Sequence, residues 1–426
     1  MILWLILPFF VALFAGIPIS FSLATGVVGF LVIQDRLPME ILAQQLYQAS
    51  ASFPLMAIPF FLLAGDLMNR TGITGRLISF VVLLVGRMHG GLGQVMILTG
   101  TIFAGLSGSG AADTAALSKV LVPGMVKEGY GRDFGAALAA AVGVLGPIIP
   151  PSIVMIVYGS MMNLSVGALF IAGIVPGLLI AVSLMVTVYF VSKKAGYPRR
   201  EDPFSWGALL RGAKDASLAL LMPVIILWGI RGGVFTPTEG GAVAVLYALF
   251  LGVCVYHTLT LKGFMEALVA SGVSAAVIML IVAAANPFGW LLALNKVPQA
   301  AAGIMLDFTQ NKYMLLFIIN ILLLFMGMIM ETNAIVLLLA PILAPIAVKM
   351  GVDPLHFALI MITNLCIGLA TPPVGVNLFV AAGATGSTLE KISRAVLPFV
   401  LVEIGVLLVI TYIPEIVMFL PRVMSM

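Results

Sequence analysis

"GVLGPIIPPS", residues 143–152, interrupts a stretch whose flanks are apolar enough to cross a membrane as a helix. It contains two glycines and three prolines, and each proline removes a backbone donor and crowds the preceding turn. Lipid cannot hydrogen-bond the backbone groups that a break releases, so a break is tolerated only inside protein or beside a cavity. The segment therefore predicts a broken helix at a functional site; a simple kink is the alternative for any single proline.

The composition is that of a polytopic membrane protein. Of the 426 residues, 62% are hydrophobic and 9% are charged, whereas about 25% are charged in average soluble domains. The formal charge of +4 is small and dispersed, which excludes nucleic acid as a partner and leaves the lipid bilayer as the surroundings. The sequence has no nucleotide-binding loop, metalloprotease motif or evident catalytic triad, so we expect an ion gradient as energy source and no enzyme activity.

Apolar runs separated by short polar loops predict nine spans and two interrupted stretches. The spans are expected at 2–33, 40–69, 133–161, 167–192, 216–231, 239–257, 264–294, 355–384 and 396–420. The interrupted stretches are 90–128 and 313–348, and amphipathic segments lie at 71–88 and 204–215. The N-terminal run "MILWLILPFFVALF" has no basic start, so it is interpreted as the first helix and not as a cleaved signal.

The sequence contains an internal duplication. A shift of 222 residues without a gap superposes prolines over more than fifty positions: Pro123 on Pro345, Pro150 and Pro151 on Pro372 and Pro373, and Pro176 on Pro398. The same shift places Gly129 on Gly351 and Gly146 on Gly368, and a weaker match pairs 38–40 with 264–266. "IGLATPPVG" (367–375) is therefore the counterpart of the opening segment.

Positive charges predict that the two repeats are inverted. Cytoplasmic loops are enriched in Lys and Arg. With "KKAGYPRRE" (193–201) in the cytoplasm, 14 basic residues fall on that side and 6 on the other, with Lys119 inside an interrupted stretch. Inverted repeats with broken helices are typical of secondary transporters, whose sites lie where the breaks meet.

The two interrupted stretches predict re-entrant helical hairpins whose tips meet the broken helix of the same repeat. Their centres, "FAGLSGSGAADTAAL" (103–117) and "MGMIMETNAIVLLLAP" (326–341), place small and polar residues between apolar arms. Hydroxyl and amide oxygens at the tips, together with carbonyls freed by the breaks, suit Na⁺, and two tip-and-break pairs predict two Na⁺ sites. The predicted cation ligands are Ser107, Ser109, Gly146, Pro150, Thr332, Asn333, Gly368 and Thr371.

Three acidic or amide side chains near the tips have alternative interpretations. Asp113 and Asn333 are residue types that cap helix N-termini, which is compatible with lining a site. Glu331 could bind a cation directly, pair with Lys119 or face water, and its role stays open.

The motifs "DTAAL", "GPIIPPS", "ETNA…LAPILAPI" and "GLATPPVG" resemble the large membrane subunit of TRAP transporters, the DctM-like family. The resemblance covers essentially the whole chain. It implies Na⁺-driven uptake of a small carboxylate, such as sialic acid or a C4-dicarboxylate, across the bacterial inner membrane by an elevator-type movement. It also implies two partners, a periplasmic substrate-binding protein and a small four-helix membrane subunit. A related carrier that needs no binding protein, or an ion channel, is the alternative.

A carboxylate substrate also fits the helix N-termini expected at the tips and breaks, because such ends attract anions. The predicted substrate-binding residues are Asp113, Ser152, Asn364 and Asn377. Interhelical hydrogen bonding is the alternative for Asn286, Asn364 and Asn377.

The expected fold is an all-α polytopic membrane protein, an inverted-repeat elevator-type transporter with two re-entrant helical hairpins and two discontinuous helices. The transport domain is expected to comprise 90–166 and 312–388, each a hairpin and a broken helix. Scaffold helices and arms are expected at 1–89, 167–311 and 389–426.

Overall fold

The computed structural model describes residues 2–34, 37–197 and 205–424, apart from the side chains at 304 and 306–308, and these ranges contain helices and no strands. In chain order the helices are α1 Leu3–Phe14, α2 Ile19–Gln34, α3 Glu40–Ser50, α4 Ala57–Arg70, α5 Ile73–Val85, α6 Gly91–Ser107, α7 Gly110–Lys127, α8 Arg132–Val142, α9 Ile153–Met162, α10 Val166–Ala195, α11 Trp206–Arg231, α12 Pro237–Phe250, α13 Leu261–Leu294, α14 Val297–Phe308, α15 Lys312–Ile329, α16 Thr332–Lys349, α17 Pro354–Gly368, α18 Val376–Thr385, α19 Leu389–Tyr412 and α20 Pro414–Val423.

The duplication predicted from the prolines is confirmed, because α6–α10 recur as α15–α19. The bounds of α7 and α16 differ by the predicted 222 residues. Both helices are followed by a glycine with positive φ, Gly129 at +89° and Gly351 at +78°. Both breaks contain a cis Pro-Pro peptide, Pro150–Pro151 and Pro372–Pro373.

The segments upstream of the two hairpins lie antiparallel to each other, as inverted repeats require. The end of α4 meets the start of α13, where Arg70 Nη1 and Glu266 Oε2 are 2.9 Å apart. The preceding helix α3 meets the other end of α13, where Asn286 Nδ2 donates to the Gln45 carbonyl at 3.0 Å. Interhelical bonding of Asn286, the alternative given above, is thereby observed.

The broken helices form the centre of the molecule. Every residue from 134 to 142 in α8 and from 356 to 368 in α17 is buried. Burial on all sides accounts for the nearly continuous runs of small and apolar residues in these two segments, in which the exceptions are His356, Thr363 and Asn364 of α17. Helices of one repeat also pack on helices of the other. The helix that follows each broken helix packs on the broken helix of the other repeat, α19 on α8 and α10 on α17. The second half of each broken helix packs on the other repeat's hairpin, α18 on α7 and α9 on α16. The two halves therefore share one core.

The first predicted span, 2–33, is wrong as a single helix, because the structure forms a hairpin of α1 and α2. Gly16 has φ +82° and Pro18 precedes the first residue of α2, so the chain reverses between the helices. A Cβ on Gly26 would lie 2.7 Å from the Leu5 carbonyl oxygen, and one on Gly29 would lie 3.0 Å from Pro8 Cγ. These glycines allow α2 to pack directly on α1.

Other boundaries also differ from the sequence prediction. The amphipathic segment 204–215 and the span 216–231 form one helix, α11, which Ser205 caps at Ala208 N. The span 40–69 is bent by 57° between α3 and α4, and 396–420 is interrupted between α19 and α20. Within the described ranges, seven helices are long and apolar enough to cross a membrane, or eight if α3 and α4 count together.

The predicted orientation depends partly on residues outside the described ranges. These are Arg36 and the end of the basic segment, from residue 198 onward. The division into transport and scaffold domains also stays a prediction.

Candidate functional site

A cavity of about 610 Å³ lies between both hairpin tips, both breaks and two upstream helices. One wall consists of the tips at 107–112 and 331–333 together with break residues Pro147, Leu369, Val376 and Asn377. The rest of the lining consists of α4 and of α13 from residue 270 to residue 281. The structure thus brings the four polar interruptions of the sequence to one place.

The N-termini of four helices converge on this cavity. Their lining residues are Gly110, Ala111 and Ala112 of α7, Ile153 and Val154 of α9, Thr332 and Asn333 of α16, and Val376 and Asn377 of α18. Each helix N-terminus has unpaired N–H groups and the equivalent of roughly half a positive charge. This wall is therefore suited to an anion.

The charged side chains of the lining are acidic. They are Asp66 and Glu331, and the residues that line the cavity include no Lys, Arg or His. Asp66 has a basic partner, because its Oδ2 lies 3.2 Å from Arg70 Nε. Glu331 is exposed to the cavity, and none of the described ion pairs joins it to Lys119, which is exposed on α7. The ion pair considered as an alternative is thus not observed.

The first hairpin tip holds a buried carboxyl group. Ser107 Oγ donates to Asp113 Oδ1 at 2.5 Å, and Asp113 is 3% exposed. The second oxygen, Oδ2, has no hydrogen-bond partner among the described residues. A buried polar atom without a partner is costly, so a cation at this oxygen would stabilise the tip. Ser109, and not Asp113, caps α7, because Ser109 Oγ accepts a hydrogen bond from Ala112 N at 3.5 Å.

The second tip places its carboxyl group at the cavity itself. Glu331 occupies the position equivalent to Ser109 and is the N-cap of α16, accepting from Ala334 N at 3.1 Å. Its other oxygen accepts from Asn333 Nδ2 at 2.7 Å. The Asn333 Oδ1 and Thr332 Oγ1 atoms have no partner among the described residues. Capping of α16 by Asn333, the alternative interpretation of this residue, is therefore not observed, and its amide oxygen is available to a ligand.

The first break packs directly on the first tip. A Cβ on Gly146 would lie 2.8 Å from Asp113 Oδ2 and 2.8 Å from Gly110 N, so no larger residue fits without displacing the tip. The tip turns at Gly108, which has φ +62° and whose Cβ would lie 2.6 Å from the Pro151 carbonyl oxygen. The predicted contact between tip and break of one repeat is confirmed here.

The second break packs on the end of α15, the first arm of the second hairpin. Gly375 N donates to the Met328 carbonyl at 3.0 Å, just before the tip of the second hairpin. A Cβ on Gly368 would lie 2.5 Å from the Gly327 carbonyl carbon. Asn377 then links the repeats, because its Nδ2 donates to the Ala140 carbonyl of α8 at 3.1 Å.

Five of the twelve predicted site residues line the cavity, namely Ser107, Ser109, Thr332, Asn333 and Asn377. The others lie behind this wall, and they are Asp113, Gly146, Pro150, Ser152, Asn364, Gly368 and Thr371. Of these, Asp113 and Gly146 touch the tip, Gly368 touches the second hairpin, and Thr371 Oγ1 donates to the Ile367 carbonyl at 2.7 Å.

Two predicted substrate-binding residues have structural roles in this conformation. Ser152 Oγ donates to the Pro147 carbonyl at 2.5 Å and accepts from Met155 N at 3.2 Å, because the first turn of α9 needs a cap. Asn364 Nδ2 donates to Asn320 Oδ1 at 2.7 Å on α15. Neither side chain lines the cavity.

The polar residues that α4 and α13 contribute to the cavity were not predicted from the sequence. Asp66 and Asn69 lie three residues apart on α4, and Ser271 and Ser274 lie three residues apart on α13. This spacing places each pair on one helix face, a signal that was available within the predicted spans. Glu403 was also missed; it is fully buried in α19, outside the cavity lining, and neither oxygen has a partner among the described residues.

Paired hairpins and paired broken helices around one cavity define a membrane transporter of the inverted-repeat class. The same fold occurs in a solved structure, the YdaH transporter of Alcanivorax borkumensis. The two chains superpose with a TM-score of 0.62 at 15% identity, over 87% of this chain and 86% of the other.

Comparison of sequences identifies the family. The family described as "Tripartite ATP-independent periplasmic transporter, DctM component" matches residues 6–416. The sialic acid TRAP transporter large permease protein SiaM of Vibrio cholerae is 42% identical over 96% of both chains. The C4-dicarboxylate TRAP transporter large permease protein DctM of Rhodobacter capsulatus is 38% identical, again over 96% of both. The chain therefore belongs to the DctM family of TRAP transporter large permease subunits, so it is a transporter component and not an enzyme.

Proposed function

We propose that this chain imports a small carboxylate together with Na⁺, as the large permease subunit of a binding-protein-dependent system in the bacterial inner membrane. The supporting observation is the convergence of four helix N-termini and the acidic second tip on one cavity without a basic lining residue. Helix N-termini attract the solute carboxylate, whereas Glu331 and the buried Asp113 repel it. Cations at the tips remove this repulsion, so solute binding depends on cation binding.

Each tip supplies one Na⁺ position. At the first tip the proposed cation ligands are Asp113 Oδ2, which lacks a hydrogen-bond partner among the described residues, and the serine oxygens beside it. At the second tip they are Glu331, Thr332 Oγ1 and Asn333 Oδ1. The breaks at Gly146 and Gly368 pack on the hairpins and supply further backbone oxygens. Such oxygen-only sets suit Na⁺, which transporters bind with unwound backbone and helix ends.

The net charge moved depends on the substrate. Two Na⁺ and one monocarboxylate such as sialic acid move one net positive charge, worth about 2.3 kcal/mol per 100 mV before the Na⁺ concentration ratio is added. Two Na⁺ and a C4-dicarboxylate dianion move no net charge. Movement follows an elevator scheme in which the tips and breaks shift against α4 and α13.

The substrate class rests on the family and on the cavity. The two relatives named above are named for sialic acid and for C4-dicarboxylates, both small carboxylates, and their similar identities to this chain favour neither. The cavity of about 610 Å³ lies within the range of about 300–1,000 Å³ that is common for small-molecule sites. The description of the family as tripartite supports two partners, a small four-helix membrane subunit and a periplasmic substrate-binding protein.

Reconstitution tests this proposal. Proteoliposomes that contain this chain with its small subunit receive a candidate binding protein outside and labelled sialic acid or succinate. We expect accumulation that requires both an inward Na⁺ gradient and the binding protein, and that stops when K⁺ replaces Na⁺. Accumulation without a binding protein would instead identify an autonomous carrier, and flux that neither saturates nor needs Na⁺ would identify a channel.

A further inference from the structure

A second, smaller cavity of about 250 Å³ lies at the other end of α13. Its polar lining residues are Gln45 and Gln48 of α3, Ser52 in the bend before α4, Ser160 of α9 and Asn286 of α13. The first cavity, by contrast, is lined by the C-terminal end of α4 and by α13 from residue 270 to residue 281. The two cavities therefore follow one another along the same pair of antiparallel elements.

One face of α13 connects the cavities. Ser271 and Ile278 line the first cavity, and Val282 and Asn286 line the second. Their spacings of seven, four and four residues keep them on one side of a helix with 3.6 residues per turn. The face is polar at both ends and apolar between them, and from Ser271 to Asn286 it is about 22 Å long at about 1.5 Å per residue.

The barrier between the cavities is thin on the opposite side. On α9, Val154 lines the first cavity and Val157 lines the second; on α16, Asn333 lines the first and Leu337 the second. These pairs are about one helical turn apart, or about 5 Å. Within the second cavity, Ser52 Oγ and Ser160 Oγ lie 2.8 Å apart in a hydrogen bond that joins the bend before α4 to the broken helix.

The second cavity offers neutral hydrogen-bonding groups. Asn286 Nδ2 donates to Gln45 Oε1 at 2.9 Å, so the NH₂ group of Gln45 is the part of that amide that can donate to a ligand. Gln48 is exposed one helical turn further along α3 and adds a second amide donor. Amides and hydroxyls without a charge can bind carboxylate or hydroxyl oxygens weakly and release them readily.

We propose that the second cavity is an entry site, where the carboxylate solute binds Gln45 and Gln48 before it reaches the site between the tips. This inference rests on the proposed function and adds to it a binding site on the side opposite to the first cavity. Since Arg70 and Lys262 fall on the cytoplasmic side in the charge-based threading, the entry site faces the periplasm.

The test compares two exposed glutamines of the same helix. Gln48 lines the second cavity, and Gln44 is equally exposed on α3 but does not. In the reconstituted complex, with labelled sialic acid or succinate as probe, Gln48→Ala should raise the KM for uptake about threefold to tenfold, the effect of one lost hydrogen bond. Gln44→Ala should match the wild type. Equal KM values for all three proteins would refute the entry site.

Thiol labelling provides a second readout that does not depend on turnover. In a Cys254→Ser background, Gln48→Cys is modified from outside with a membrane-impermeant sulfonate thiol reagent, and the transported probe should slow this modification while leaving Gln44→Cys unaffected. Absence of protection at Gln48→Cys would also refute the entry site. If the wild-type complex accumulates neither probe, the proposed function fails, and the entry site fails with it.

Discussion

Substitution of Gly146 by alanine tests the contact on which the first cation position depends. The backbone of Gly146 has φ −49° and ψ −57°, so an alanine adopts it without conformational cost. The added methyl group would nevertheless lie 2.8 Å from Asp113 Oδ2, from Gly110 N and from the Ser109 carbonyl carbon. Two of these three atoms are backbone, so the tip must shift. The effect of the substitution is therefore steric.

The magnitude follows from overpacking. An extra methyl group in a well-packed interior costs about 1–3 kcal/mol. If the tip relaxes by moving away from the break, this cost falls on the cation-bound state and raises the Na⁺ half-saturation concentration about 5- to 150-fold at about 1.4 kcal/mol per tenfold. If the shift leaves the proposed cation ligands in place, the same cost instead lowers the thermal midpoint of unfolding.

The assay measures both quantities, the Na⁺ dependence of uptake in proteoliposomes and the unfolding midpoint of the purified complex. Gly124→Ala is the matched control, because it lies in α7 of the same hairpin and a Cβ there has nothing within 4 Å. We expect Gly124→Ala to transport normally. If Gly146→Ala changes neither the Na⁺ dependence nor the midpoint, the tip-and-break contact does not hold the cation position.

Three further substitutions separate transport from stability. Gly368→Ala places a methyl group 2.5 Å from the Gly327 carbonyl carbon, so uptake should fall strongly, and normal uptake would contradict the role of the contact between the second break and α15. Asn364→Leu leaves the buried Asn320 Oδ1 without its donor, so the unfolding midpoint should fall by the equivalent of about 1–3 kcal/mol while the KM for solute is unchanged. A raised KM would restore Asn364 as a substrate-binding residue. Ser152→Ala removes the cap of α9, so it should cost about 1 kcal/mol of stability with unchanged KM, and direct substrate contact would require a raised KM at equal stability.

The sequence was most informative where backbone chemistry alone determines the structure. Paired prolines interrupt a helix in any context, so the breaks and their relation by 222 residues could be predicted. The hairpin of α1 and α2 was missed because Gly16 and Pro18 lie inside a continuous apolar run, and hydropathy does not register a reversal of the chain.

Side-chain roles were predicted less well, since they depend on partners distant in sequence. The Nδ2 group of Asn364 donates to Asn320 on α15, 44 residues away, and no local pattern shows this. The polar wall formed by Asp66 and Ser271 joins α4 to α13, and only the fold shows that both face the tips.

The two repeats place different groups at equivalent positions of their tips, which predicts that the two proposed cation positions have different roles. Ser109 and Glu331 are equivalent, and Gly108 has φ +62° where Met330 has φ −126°. The carboxyl group of the first tip, Asp113, is buried, whereas Glu331 lies at the surface of the cavity proposed for the solute. Asp113→Asn should therefore raise the Na⁺ half-saturation concentration without changing the solute KM at saturating Na⁺. Glu331→Gln should raise the Na⁺ half-saturation concentration about tenfold or more, the loss of a charged ligand, and should alter the solute KM as well, because its cation neighbours the solute. Uptake measured over a matrix of Na⁺ and solute concentrations distinguishes these patterns. Identical changes in the Na⁺ half-saturation concentration and in the solute KM of both variants would show that the two tips have the same role.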